Sequence, residues 1–236
     1  MFKVNMFKIS MKKVIGIIAV VAIVIIAISA SNKETTETVE TVETLEVKTV
    51  QEFRNDIQET ASFQENADLK NNEYIVISTA STLGWKGSSP IRSHSGTIDI
   101  ANGSLVIEDN SVIGDVVLNM NSIQSGAGGG LDGHLKSDDF FNIIQYPTAR
   151  ILINGYSNNN LDIDLTIKGT TLNILVPATL IQEETMVRIL GATEIDRALW
   201  DIRYNSNSFF ANLGDSAIND QLEINFDLVA EEVTNG

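Results

Sequence analysis

The residues able to do chemistry are few and clustered. His94 and His134 are the only histidines in a chain of 236 residues. His134 opens the run His134-Leu135-Lys136-Ser137-Asp138-Asp139-Phe140-Phe141, which closes on Tyr146-Pro147-Thr148-Ala149. A zinc centre needs three or four ligands. Neither histidine has acids at ligand spacing and cysteine is absent, which argues against a catalytic metal. Ser137, His134 and Asp138 are the residue types of a nucleophilic triad. They lie within one turn of chain, however, with no strand-to-helix nucleophile elbow around them. The mixture fits no simple helix or strand period, so the segment reads as a special corner. Outside it, Arg197 beside Asp196 offers a planar guanidinium suited to an ion pair or to carbonyls. Trp85 carries an indole N–H that needs a partner if buried, which suits a rim.

Strands must hold these residues. Residues 161–167 and 222–228 alternate apolar and polar side chains, as a strand with one buried face must. Further short runs at 74–78, 96–100, 104–107, 112–120, 170–176 and 185–190 read the same way. Asn-rich 157–160 and Lys168-Gly169 read as hairpin turns, because Asn and Gly tolerate positive φ. No helix longer than a few turns is expected. Many short strands at regular spacing imply an antiparallel sandwich or barrel, and the pattern alone does not choose between them. A closed barrel of about eight strands is just wide enough for side chains or one slender ligand.

Composition narrows the function. Net charge is −15 on 16 basic and 31 acidic residues. Four of the basic residues are Lys3, Lys8, Lys12 and Lys13, and the first thirty residues hold no acid. Residues 31–236 therefore carry twelve basic and thirty-one acidic groups, net −19. Such a surface repels phosphate backbones, which excludes nucleic acid as a partner, and it argues against anionic lipid head groups. The uncharged run at 14–30 after the lysines predicts a signal peptide over residues 1–30, cut near Ser29 or Ala30. A retained membrane anchor is the alternative. Either places the folded part outside the cytoplasm. Residues 31–72 form an acidic linker, rich in Glu-Thr repeats whose like charges repel, with a short helix at 51–70 left open.

Several segments together resemble the YceI-like family. The corner of His134, Leu135, Lys136 and Ser137, the pair Phe140-Phe141, and Tyr146-Pro147-Thr148-Ala149 match its signature in order. Trp85, Gly87 and His94-Ser95-Gly96 are similar to its opening hairpin, and residues 117–123 to the strand before the corner. Residues 164–171 resemble its characteristic hairpin, and Ile195-Asp196-Arg197 its late motif. Asp201 stands after Trp200 where that family usually has glycine, and the approach to the corner, 125–130, is unusually glycine-rich. The resemblance covers residues 73–232. It implies an all-β, antiparallel lipocalin-like β-barrel of about eight strands with a short helical corner.

The function it implies is to hold a polyisoprenoid, a prenyl quinone or prenyl phosphate, for transport, storage or protection, with no catalysis and no cofactor. The candidate ligand-binding residues are then Trp85, His94, His134, Lys136, Ser137, Phe140, Phe141, Tyr146 and Arg197. Each has a structural reading beside it. His134 would pin the corner through backbone bonds, Lys136 would be solvated, and the aromatic residues would pack beneath the corner. The competing function is a membrane-tethered interaction domain whose barrel is packed full. A homodimer stays open.

Overall fold

Alternation of apolar and polar side chains sets the architecture, because a strand sends successive side chains to opposite faces. The computed structural model describes residues 69–234. The expected amino-terminal segment and the linker before residue 69 lie outside them. Nine strands run in order: β1 (Asn72–Val76), β2 (Thr82–Ser88), β3 (Ser93–Glu108), β4 (Ser111–Ser125), β5 (Thr148–Ser157), β6 (Asn160–Ile167), β7 (Thr170–Glu183), β8 (Met186–Asp196) and β9 (Gln221–Glu232). One helix, α1 (Gly129–Lys136), lies between β4 and β5.

All pairings are antiparallel, and the ring β3-β2-β9-β8-β7-β6-β5-β4 closes where β4 pairs back to β3. β1 adds no further stave. It pairs with β3 and β9 beyond the stretch where β2 pairs with the same two strands. The two are halves of one interrupted strand, and the barrel is eight-stranded. Ser81 stitches the break: its Oγ donates to Ile77 O at 2.9 Å and accepts from Val229 N at 2.9 Å.

Turn chemistry fixes the register. Asp109-Asn110, Asn158-Asn159 and Lys168-Gly169 each hold two residues at positive φ between paired strand ends, as two-residue type I′ hairpins demand. The structure also differs from the sequence expectation in three places. Residues 96–100 and 104–107 belong to a single strand, β3, which shifts register at two bulges near Asp99 and Ala101. The bulges bend the strand, and the pattern breaks there. β2 and β5 are strands that alternation does not announce.

The two ends of the barrel differ. At the far end, Tyr74, Leu105, Ile107, Val112, Val187 and Ile189 are buried and fill the interior. There Gln182 Nε2 donates to the Tyr74 hydroxyl at 2.7 Å. The near end gathers the β2–β3 hairpin, α1 with its following corner, the β6–β7 turn, and the long crossing 197–220 from β8 to β9. No helix among the described residues is long and apolar enough to cross a membrane.

Candidate functional site

A cavity of about 260 Å³ occupies the near half of the barrel. Every strand of the ring supplies wall residues, among them Leu83 and Trp85 of β2, Ile98 of β3, Met120 of β4, Ile151 of β5, Leu165 of β6, Ile174 of β7, Thr193 of β8 and Ile224 of β9. Phe226 bounds it below. The ring lies where a side chain at the facing Gly191 would stand: a Cβ there would come within 2.2 Å of Phe226 Cζ. Only glycine leaves that space. Past Phe226 a second void of about 30 Å³ continues toward the packed end, sharing Leu83, Leu118, Ile151 and Ile163 with the first.

The roof is α1 and the corner. Leu131 and Leu135 face the cavity from the helix, and Phe140 and Phe141 from the turn beyond it. Three of the eight helical residues are glycine, a composition that lowers helix stability. The helix is held instead by a latch: Asp132 Oδ1 accepts from both the backbone N and the Oγ of Ser125, each at 2.7 Å.

Of the residues singled out from the sequence, Trp85, His94, Phe140, Phe141 and Arg197 line the cavity. His134, Lys136, Ser137 and Tyr146 do not. The His134 ring packs edge-on against Phe140 and Tyr204, with centroids 5.0 and 4.5 Å away, and its Nε2 lies 3.3 Å from Asp139 Oδ2. Ser137 caps the helix, donating from Oγ to His134 O at 2.7 Å. Its hydroxyl meets a carbonyl rather than the imidazole, so the corner holds no nucleophile–base pair. Lys136 offers its carbonyl to Ile143 N at 3.2 Å. The Tyr146 ring rests against Gly169, where an added Cβ would lie 3.1 Å from Cε1. These four build the corner rather than the cavity surface: His134 and Lys136 lie off the helix face that carries Leu131 and Leu135, Ser137 caps the helix, and Tyr146 rests on the β6–β7 turn.

Arg197 is 3% exposed, and its donors are already engaged. Nε donates to Asn219 O at 3.1 Å, Nη1 to Ile202 O at 2.9 Å and Nη2 to Ile218 O at 3.0 Å. Nη2 is also 3.1 Å from Asp220 Oδ1, an ion pair without hydrogen-bond alignment. Burial lowers the Arg197 pKa, against the opposing pull of Asp220 and Asp196. Burial works to raise Asp220, yet hydrogen bonds from Ser208 and Ser206 and the charge of Arg197 outweigh it and hold that carboxyl below its ordinary value. Arg197 thus frames the mouth and ties the start of the crossing 197–220 to its end. Trp200, fully buried beside it, donates from Nε1 to Leu165 O at 3.2 Å. Asp201 follows at φ 60°, ψ 32°.

Ser88, Ser89, Arg92 and Asn219 are further polar residues of the mouth, beyond those the sequence points to. Asn219 Nδ2 donates to Ser88 Oγ at 2.8 Å, joining the crossing to the β2–β3 hairpin. Pro90 and the nearby His94 give a hint for Arg92. Nothing local marks Asn219. Among the described residues no group of His, Cys, Asp or Glu side chains is arranged to hold a metal ion.

Residues 74–230 match the family model of the YceI-like domain. Among solved structures, BcnA of Burkholderia cenocepacia is similar at 18% identity, covering 65% of this chain and 98% of that one, with a TM-score of 0.54. A polyisoprenoid binding domain from Saccharophagus degradans, implicated in plant cell wall breakdown, is similar at 15% identity. It covers 70% of this chain and 100% of that one, also with a TM-score of 0.54. At such identities the likeness shows the shared fold. No curated protein matches the sequence.

Proposed function

The chain belongs to the YceI-like domain family, and from that premise we propose that it is a non-catalytic carrier of a polyisoprenoid lipid outside the cytoplasm. The observation that carries this reading is the apolar cavity, closed at one end by packed side chains and roofed at the other by a short helix. The packed-barrel alternative has no use for such a space. A prenyl chain brings many methylenes, each worth roughly 0.8 kcal/mol on leaving water. That sum can outweigh the ordering cost with few polar contacts.

The polar side of the mouth supports an oxygen-bearing head group. Arg92, Ser88, Ser89 and Asn219 all offer N–H or O–H donors there, which fits the acceptor oxygens of a quinone or a phosphate. The Saccharophagus degradans domain, described as polyisoprenoid binding, has the same fold. The lysine-flanked apolar run at the amino end supports export, by cleavage or by anchoring.

Filling the cavity tests the reading. Ile174 is a half-buried wall residue bordering open space, so Ile174→Trp grows into the cavity and not into packed core. We expect the variant to keep its near-UV circular dichroism and melt within a few degrees of the parent while losing extractable prenyl lipid. A folded variant that retained the same cargo in the same amount would sink the carrier model.

A further inference from the structure

The end at which the cavity opens also carries a set of exposed apolar side chains on its connections. Ile91, Ile144, Leu199, Phe209 and Phe210 are 59, 95, 61, 45 and 49% exposed and stand on three of its connections. The other exposed large apolar residues among those described, Ile75, Ile113, Leu152 and Leu175, lie on four different strands of the wall. Water-facing apolar groups scattered singly need no explanation, whereas a set gathered at one site does.

The connections are tied into a ring. Asn219 bonds the crossing 197–220 to the β2–β3 hairpin, and Tyr204 packs on His134 of the corner. Tyr146 of the corner rests on the β6–β7 turn, and Lys168 of that turn donates to Asp201 O at 2.9 Å. The rim is therefore a built surface around the mouth. Its exposed charges are of both signs, Arg92 and Arg203 against Asp138, Asp139, Asp201 and Asp215, and the Arg203 guanidinium sits 4.6 Å from the Phe209 ring centroid. The far end is mostly acidic, exposing Glu73, Glu108, Asp109, Glu183, Glu184 and Glu231 against Lys70 and Arg188, the latter paired with Asp227.

We propose that the rim is a bilayer-docking face, with these five side chains entering the membrane interface and the mouth held over the lipid. Apolar side chains beside mixed charge suit that interface. The barrel is closed, so it presents no free sheet edge on which a peptide partner could add a strand. The acidic far end turns away from the surface, and neutral lipid is favoured over anionic lipid. The proposal rests on the carrier reading for its purpose, though not for its test.

The chain has no cysteine, so one introduced thiol carries an environment-sensitive fluorophore cleanly. Full-length protein labelled at Ile144→Cys is compared with protein labelled at Glu184→Cys on the far end, each titrated with phosphatidylcholine vesicles. The expected result is a blue shift and several-fold brighter emission at position 144, with position 184 unchanged. Replacing part of the phosphatidylcholine with phosphatidylglycerol should weaken the response. Phe209→Ser with Phe210→Ser should weaken it about tenfold or more and leave any bound lipid mass in place. No change at 144, equal change at both positions, or a change at 144 that follows protein concentration without vesicles would overturn the proposal, the last by pointing to a second copy. Failure here with lipid still bound would leave the carrier reading standing.

Discussion

Asp201 shows how one residue reports a backbone demand. It follows the buried Trp200 at φ 60°, in the left-handed region that costs a residue with a Cβ about 1–2 kcal/mol, and less for Asp. The family's usual glycine at this position has the same explanation. Asp201 is held by its backbone N donating to Ala198 O at 3.1 Å and by an exposed pair with Arg203 at 2.5 Å, and such a pair is worth at most about 1 kcal/mol. Thermal unfolding should therefore find Asp201→Gly as stable as the parent or slightly more so, and Asp201→Val less stable by about 1–2 kcal/mol. Equal melting temperatures for the two variants would remove the backbone argument. The same logic makes Gly191 a matter of space rather than torsion, since its missing Cβ is what seats Phe226.

Among the described elements, the crossing 197–220 carries the most deeply buried charge pair, Arg197 with Asp220. Asp220 accepts from Ser206 and Ser208 at 2.8 and 2.7 Å and faces Arg197. A carboxylate held below its ordinary value stabilises the fold above its unfolded pKa of about 4, and that contribution is lost as pH falls through the lower folded value. Hydrogen-exchange protection in the crossing, taken relative to the intrinsic rate at each pH, should thus be flat at neutral pH and fall below about pH 4, and Asp220→Asn should flatten that acid response. An unchanged acid profile in the variant would assign the effect elsewhere. Elements were legible in proportion to their regularity. β6 and β9 alternate cleanly, and the turns at 157–160 and 168–169 carry Asn and Gly. β2 holds Gly84 and Gly87, which leave few apolar side chains to alternate, and the hairpin likeness around Trp85 and His94 is what marked it. β5 was hidden by Ile151-Leu152-Ile153, an unbroken apolar run, and by a register shift before Gly155. The same limit applies to the candidate site. Trp85 and His94 stood out through a recognisable hairpin, whereas Ser88 and Asn219 meet only because the barrel closes and the crossing returns over it.

The barrel has an axis. Its chain enters β1 at the packed, acidic end, and its cavity opens at the end where apolar side chains ring the mouth. Such polarity suits a vessel loaded from a lipid surface and closed against water elsewhere. Charge is consistent with this use, since a net −15 disfavours contact with phosphate backbones. Native mass spectrometry of gently purified protein, with organic extraction of any bound mass, asks outright whether the cavity holds prenyl lipid. The expected result is a discrete adduct that fragments as a prenyl quinone or prenyl phosphate. A clean apo mass that stays apo after incubation with both lipids would contradict it.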